Sequence, residues 1–165
     1  MEKKLTSFDP IVDSKAELLV LGSMPGRVSL EKGQYYGHKN NHFWEIVFTA
    51  VKEDDPGDYR KRIAVLKKNK IGLWDVVRSC YRDGSRDDKI SDPEINDIRK
   101  ATKKCRALKA IFFNGRKAEK LFREHFTDWK IDVQYLPSTS PLNTLSVKKK
   151  TKIWRKAFEK RAPYH

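Results

Sequence analysis

Short apolar segments alternate with longer amphipathic ones along this chain, and this alternation restricts the fold more than any other feature of the sequence. Four short segments have the character of buried strands: residues 17–22, 71–77, 108–113 and 131–136. Between them, apolar residues recur every three or four positions, which is typical of amphipathic helices. Strands that alternate with helices predict an α/β fold in which helices cover both faces of a parallel sheet.

Helices are predicted to begin at or near Phe43, Pro56, the Asp92-Pro93 pair, the Asn114-Gly115 turn and Val147. The charged residues 79–91 are expected to form a mobile loop. No repeat, low-complexity tract or linker interrupts residues 1–165. One domain is therefore predicted for the whole chain.

The chain is strongly basic. Its 165 residues include 36 Lys and Arg against 22 Asp and Glu, which gives a net charge of +14. The basic residues are concentrated in residues 60–70, 99–109 and 147–160. Such an excess attracts phosphate backbones and favours a nucleic-acid partner. The alternative interpretation is that these segments are only the solvated faces of amphipathic helices.

Several protein classes are excluded. No apolar run approaches the roughly 18 residues of a membrane span, and the N-terminal residues lack the hydrophobic stretch of a secretory signal. Cys80 and Cys105 form no C-x-x-C pair, which excludes a structural zinc site or a four-cysteine iron–sulfur cluster. We expect no membrane association and a cytoplasmic location, at the nucleoid if the source is prokaryotic.

In folds of this class, ligands bind beyond the carboxyl ends of the strands. The loop after the first strand carries Tyr35 and Tyr36, whose rings could stack on an extruded base or pack on the core. One of the two asparagines at residues 40–41 is a candidate cap for the helix that follows. His38 and His42 lack a third ligand at suitable spacing, so no metal site is predicted.

The loop after the fourth strand reads LPSTSPLN, residues 136–143. Its hydroxyl groups and backbone N–H groups are suited to binding phosphates, and the residues assigned to DNA here are Ser138, Thr139, Ser140, Leu142 and Asn143. Leu142 at the tip is either a wedge that fills the gap left by an extruded base or a cap on the last helix. No G-x-S-x-G elbow is present, which argues against acyl transfer.

Five segments in register resemble the uracil-DNA glycosylase superfamily, and most closely its hypoxanthine-DNA glycosylase group. They are GSMPG at 22–26, QYYGHKNNHFW at 34–44, GLWDVVRSC at 72–80, FFNG at 112–115 and LPSTSPLN at 136–143. The resemblance implies a three-layer α/β/α sandwich around a four-stranded parallel sheet. It also implies a monofunctional DNA glycosylase that uses no metal and no cofactor.

The resemblance also assigns roles to individual residues. Many superfamily members carry Asp or Asn where this chain has Met24, and the hypoxanthine group is similar in lacking it. The catalytic asparagine of that group matches Asn41, which we expect to position water through its carbonyl oxygen. Asp75 and Asn114 are expected to read the edge of the base, with Tyr36 or Tyr35 stacked on it.

The predicted activity is hydrolysis of the N-glycosidic bond of a deaminated base, hypoxanthine first, in single- or double-stranded DNA. A monomer is expected. One alternative keeps the fold and takes uracil or mismatched uracil as the substrate. Another is a non-catalytic nucleic-acid-binding domain, and a lysine-dependent lyase is a third.

Overall fold

The computed structural model describes residues 3–161, in which seven strands and six α-helices are assigned. The strands are β1 (Lys4–Thr6), β2 (Leu18–Gly22), β3 (Ile71–Asp75), β4 (Val77–Tyr81), β5 (Ser91–Ile95), β6 (Ala110–Asn114) and β7 (Asp132–Leu136). The helices are α1 (Arg27–Lys32), α2 (Phe43–Val51), α3 (Tyr59–Lys68), α4 (Ile98–Thr102), α5 (Arg116–His125) and α6 (Val147–Arg161), with a short 3-10 helix at Asp87–Lys89.

The central sheet has the strand order β3-β2-β6-β7, and all of its strands are parallel. Val20 of β2 lies in register with Leu73 of β3 and Phe112 of β6. Every residue of these three strands is buried, because the sheet is covered on both faces and leaves no solvated side. The predicted four-stranded parallel sheet is confirmed.

Alternate residues of the strands point into two separate cores. On one face, α2 and α6 pack on the sheet, and the core there includes Val20, Phe112, Phe43 and Trp154. On the other face, the core under α4 and α5 includes Leu21, Phe113, Ile98 and Phe122. The predicted α/β/α sandwich is thereby confirmed.

A second sheet was not predicted. It is antiparallel, has the order β1-β4-β5, and continues from the central sheet, since Val76 alone separates β3 from β4. The predicted strand 71–77 is thus two strands in two sheets. Residues 79–91, predicted as a loop, are partly ordered into elements. Their first three residues belong to β4, and the 3-10 helix lies farther along.

The helix predicted to start at Asp92-Pro93 is wrong, because these residues lie in β5. An aspartate before a proline imitates a helix start, but Pro93 is equally suited to an edge strand, where its missing N–H costs no ladder hydrogen bond. The cap of α4 is Asp97, whose side chain accepts a hydrogen bond from the Lys100 N–H. Similarly, α3 begins after the cap Asp58 rather than at Pro56, and α1 lies where only a loop was expected.

No helix within residues 3–161 is long and apolar enough to cross a membrane.

Candidate active site

A cavity of about 690 Å³ lies at the carboxyl ends of the parallel strands. Gly22, Asp75 and Asn114 end β2, β3 and β6 and contribute to its lining. The structure brings together in this one cavity all ten site residues predicted from the sequence: Tyr35, Tyr36, Asn41, Asp75, Asn114, Ser138, Thr139, Ser140, Leu142 and Asn143. They do not all present free polar atoms to it.

Three side chains in the lining form a hydrogen-bond relay. The Thr139 N–H donates to Asn114 Oδ1 at 2.9 Å, and Asn114 Nδ2 donates back to Thr139 Oγ1 at 3.0 Å. The Thr139 hydroxyl then donates to Asn41 Oδ1 at 2.8 Å. A backbone N–H only donates, so the bond from Thr139 N fixes which amide atom of Asn114 is oxygen and gives the relay one direction.

The amide of Asn41 is oriented in the same way. Its Oδ1 also accepts a hydrogen bond from the Phe43 N–H at 3.0 Å, at the start of α2. Both lone pairs of this oxygen are therefore used within the protein. The role expected of this oxygen, to hold water, stays a prediction, but the group of Asn41 that the structure leaves for a ligand is the Nδ2 amide. Within residues 3–161, Nδ2 has no hydrogen-bond partner.

Asp75 lies deep in the cavity, with 3% of its surface exposed. Its carboxyl is folded over Gly22, where a Cβ atom would lie 2.5 Å from Asp75 Oδ1 and 3.0 Å from the Tyr36 hydroxyl oxygen. Only glycine leaves room for both groups. Asp75 Oδ2 and the Tyr36 hydroxyl are buried without a hydrogen-bond partner among residues 3–161. Buried polar atoms of this kind are free to bind a polar ligand.

The protonation of this region follows from burial. Burial, with the negative charge of Asp87 as the second cause, raises the pKa of Asp75 to about 7, and the Arg82 guanidinium opposes the rise. Burial and the nearby Asp75 raise the pKa of the Tyr36 hydroxyl above its ordinary value. At neutral pH the Tyr36 hydroxyl is thus protonated, and a substantial fraction of Asp75 is a neutral acid.

The segment after β4 forms one wall of the cavity, and none of its residues was predicted as a site residue. Ser23 donates a hydrogen bond to Asp87 Oδ1 at 2.7 Å, and the Arg27 N–H donates to Ser85 Oγ at 2.9 Å. Arg82 is buried and donates to the carbonyl oxygens of Pro25 and Gly84. Nothing in the sequence distinguishes Arg82 from the exposed arginines near it, because its role depends on the turn that follows β4.

Tyr35 and Tyr36 have different surroundings. Tyr35 is 3% exposed, belongs to the core, and donates its hydroxyl hydrogen to the Asp9 carbonyl at 2.7 Å. Tyr36 has a φ of 53°, which is rare for a bulky residue and is typical of positions held in place for function. Its ring stacks on Phe43 with 3.9 Å between centroids.

The loop after β7 combines buried and exposed residues. Thr139 is 0% exposed and its N–H and hydroxyl are committed to the relay, so the predicted contact between Thr139 and DNA phosphate is wrong. Leu142 is 63% exposed, which excludes the interpretation that it caps the last helix by packing on it. Within this loop, the Ser140 N–H binds Ser138 Oγ and the Leu142 N–H binds Ser140 Oγ.

No group of three or more His, Cys, Asp or Glu side chains within residues 3–161 is arranged to hold a metal ion. His38 Nδ1 accepts a hydrogen bond from the Asn40 N–H, and His42 Nδ1 lies 3.2 Å from Glu45 Oε2.

Comparison with known proteins gives consistent matches over most of the chain. The family model of the Uracil DNA glycosylase superfamily matches residues 10–160. A protein of Methanosarcina barkeri (strain Fusaro / DSM 804), called hypoxanthine DNA glycosylase, is 40% identical over 161 residues, which cover 95% of this chain and 99% of that protein. A protein of the same name from Methanosarcina acetivorans is 40% identical over 155 residues, which cover 92% and 96%.

A solved structure is also similar. It is a solution NMR structure from Methanosarcina acetivorans, of a protein provisionally called a uracil DNA glycosylase. The superposition has a TM-score of 0.80 at 38% sequence identity and covers 96% of this chain and 98% of that one.

Proposed function

Because this chain belongs to the Uracil DNA glycosylase superfamily, we propose that it is a DNA glycosylase that hydrolyses the N-glycosidic bond of a deaminated base and leaves an abasic site. Hypoxanthine is the substrate base we favour, in agreement with the name of two relatives that match nearly the whole chain. The observation that carries the proposal is the pair of buried, unpartnered polar groups of Asp75 and Tyr36 in a cavity large enough for an extruded nucleotide.

Asp75 is the residue that reads the base. The lactam edge of hypoxanthine offers an N–H donor beside a carbonyl acceptor, and a neutral carboxylic acid offers the complementary acceptor and donor. Asn114 is less suited to this role, because Thr139 already uses one N–H and one oxygen lone pair of its amide, whereas Asp75 Oδ2 has no partner. Tyr36 contributes its unpartnered hydroxyl beside Asp75, and the stacking on the base predicted from the sequence for Tyr36 or Tyr35 stays a prediction.

Asn41 acts as a hydrogen-bond donor. Its Nδ2 amide binds the oxygen of the attacking water and leaves a second lone pair of that oxygen directed at the sugar carbon. An amide does not remove a proton, so the C–N bond must be largely broken before water attacks, and the departing base anion takes up the proton that the water loses. The departing base anion is stabilised by hydrogen-bond donors, among them the neutral Asp75 and the Tyr36 hydroxyl.

The remaining assignments concern DNA. The net charge of +14 supports binding to single- and double-stranded DNA, and Leu142 is the residue that enters the stack when the base leaves it. Ser138, Ser140 and Asn143 lie at the mouth of the cavity for contacts to the backbone. We propose a monomer that acts without a metal or cofactor and is located with the genome in the cytoplasm.

Uracil is the second candidate base. Its lactam edge has the same donor and acceptor order as that of hypoxanthine, and the solved relative carries the name of a uracil glycosylase. Asp75 and Tyr36 fit either edge, so size and stacking in the cavity must discriminate between the two bases.

The test is a single-turnover cleavage assay on oligonucleotides that carry one deoxyinosine or one deoxyuridine. Each is presented single-stranded and opposite each normal base, and abasic sites are revealed by alkaline strand scission. Faster cleavage at deoxyinosine supports the proposal. Cleavage at deoxyuridine alone would mean that the protein is a glycosylase but that its substrate base is uracil. Salt-sensitive DNA binding without cleavage of either base would leave only a nucleic-acid-binding domain.

A further inference from the structure

Lys150 is a fully buried cation next to the cavity that the proposed reaction does not use. Its side chain is 1% exposed and lies at the start of α6, where the flanking Lys148 and Lys149 are exposed. Within residues 3–161 it forms no salt bridge with a carboxylate. Burial lowers the pKa of this ammonium group. A buried charge without a carboxylate partner is costly, so its hydrogen bonds must offset that cost.

Those hydrogen bonds are made to one turn. Lys150 Nζ donates to the carbonyl oxygens of Ser140 and Asn143, each at 3.0 Å. The same Ser140 carbonyl accepts the Asn143 N–H at 3.1 Å, which closes a β-turn over residues 140–143. Leu142 is inside this turn, and the ammonium group therefore bonds to the backbone on both sides of it.

Packing within the protein does not account for the apolar side chain of Leu142 at this turn. It is 63% exposed on a strongly basic protein and lies at the rim of the cavity. A side chain that enters the base stack must offset an unstacking cost of a few kcal/mol. Any freedom that the loop gives up on binding adds to that cost, so a turn fixed in advance makes insertion more favourable.

We propose that Lys150 is a positioning residue that holds the 140–143 turn so that Leu142 is pre-organised to enter the DNA stack. This inference rests on the proposed glycosylase function. Lys150 does not touch the base or the sugar, and it acts only through the two backbone carbonyls. Its effect is therefore confined to extrusion of the base and does not extend to breakage of the glycosidic bond.

The test compares paired and unpaired substrates. Lys150→Met keeps the length of the side chain and removes the charge and both hydrogen bonds. We expect it to lower the single-turnover rate on duplex deoxyinosine by about 10- to 100-fold, the size of effect that a loss of wedge insertion of a few kcal/mol produces. On single-stranded deoxyinosine, which needs no unstacking from a partner strand, the expected change is below about threefold.

Lys149→Met is the matched control, because it removes one exposed charge from the adjacent position. It should affect both substrates alike and only through salt-sensitive binding. A 2-aminopurine placed next to the lesion reports extrusion directly, and its stopped-flow signal should weaken with Lys150→Met and not with Lys149→Met. Circular dichroism melting establishes that each variant is folded.

Leu142→Ala keeps the inference testable if Lys150→Met folds poorly, because it should cause the same selective loss on duplex DNA. In the Leu142→Ala background, Lys150→Met should add no further selective loss. Equal losses on both substrates, an equal effect of Lys149→Met, or additive losses in the double variant would overturn the inference while leaving the glycosylase function intact. No cleavage of either substrate by the wild type would instead overturn the function and this inference with it.

Discussion

At the scale of single residues, Asn41 has one side-chain atom that the fold uses and one that it leaves free. Its oxygen holds the start of α2 and ends the relay from Asn114, while its nitrogen remains available. The residue therefore both supports the start of α2 and is a candidate catalytic donor. Replacing the whole side chain would remove both functions at once, whereas an isosteric change separates them.

Asn41→Asp provides that separation. The aspartate retains an oxygen for the bonds from Phe43 and Thr139, so the fold should be kept, but its other oxygen cannot donate. We expect base release in a single-turnover assay to fall by about 100-fold or more, a size typical of losing one donor at a reacting centre. Asn40→Asp, an exposed neighbour with the same change of charge, is the control. Undiminished activity of Asn41→Asp would mean that Asn41 acts as an acceptor after all.

Asp75 predicts how activity depends on pH. Its pKa of about 7 means that the neutral acid, which can donate to the lactam carbonyl, predominates below that pH. We expect kcat/KM on deoxyinosine to fall about tenfold per pH unit well above the pKa. Asp75→Asn keeps one donor and one acceptor and should flatten this alkaline limb. Asp83→Asn, at an exposed position, should keep the wild-type profile, and a profile unchanged by Asp75→Asn would exclude Asp75 as the titrating group.

The same residue links pH to stability. The pKa of Asp75 is raised on folding from about 3.8 to about 7, so the folded state binds the proton more tightly. Its contribution to the free energy of unfolding is fully present below about pH 4 and is lost as the pH rises through about 7. Asp75→Asn should therefore be more stable than the wild type above pH 7, by up to about 4 kcal/mol, with no difference at about pH 4. Urea unfolding at both pH values measures this.

The sequence predicted which residues line the cavity better than what each one does there. Asp75 and Asn114 are both polar residues at strand ends, and the resemblance placed both on the base. The structure leaves Asp75 unpartnered and commits Asn114 to Thr139. Strand ends can be predicted from apolar patterns, but the partner of a side chain depends on loops that approach from distant parts of the chain.

At the scale of elements, strands were predicted correctly where burial on both faces makes the segment apolar along its whole length. Strands β2, β3 and β6 of the central sheet are buried throughout because both faces are covered. The second sheet was missed because β1 is short and β5 is largely polar and contains Pro93, a pattern that a helix start shares. Helix α1 has only six residues and follows a glycine-containing turn, so it carries too little periodicity to be detected.

Three elements meet at Thr139, which joins the end of β6 to the start of α2 through the loop after β7. Thr139→Val keeps the volume and removes the hydroxyl, so Asn114 Nδ2 loses its acceptor and Asn41 loses one donor. We expect the free energy of unfolding to fall by about 1–3 kcal/mol and base release to slow. Thr139→Ser should restore both properties, because it keeps the hydroxyl. Thr144→Val, an exposed position after the same loop, serves as the control, and full wild-type activity of Thr139→Val would argue against the relay.

At the scale of the whole molecule, the net charge of +14 is spread over both ends of the sheet, but only one end carries the cavity described above for residues 3–161. Arg27 and Arg86 line the cavity, and Lys39 lies in the loop that carries Tyr36 and Asn41. Lys103, Lys104 and Arg106 instead precede β6 and lie towards the amino-terminal edge of the sheet. If the cavity faces DNA, only the first set can neutralise phosphates that flank an extruded nucleotide.

These two sets give a test of where DNA binds. Each phosphate that is no longer neutralised should reduce the slope of log affinity against log salt concentration by about one. Replacing Arg27, Lys39 and Arg86 with glutamine should therefore lower the slope by up to about three, measured by fluorescence anisotropy on an undamaged duplex between about 50 and 200 mM salt. The matched replacement of Lys103, Lys104 and Arg106 removes the same charge and should leave the slope nearly unchanged. Equal reductions would mean that the charge attracts DNA without orienting it, and that the cavity is reached only after the protein rebinds or turns on the duplex.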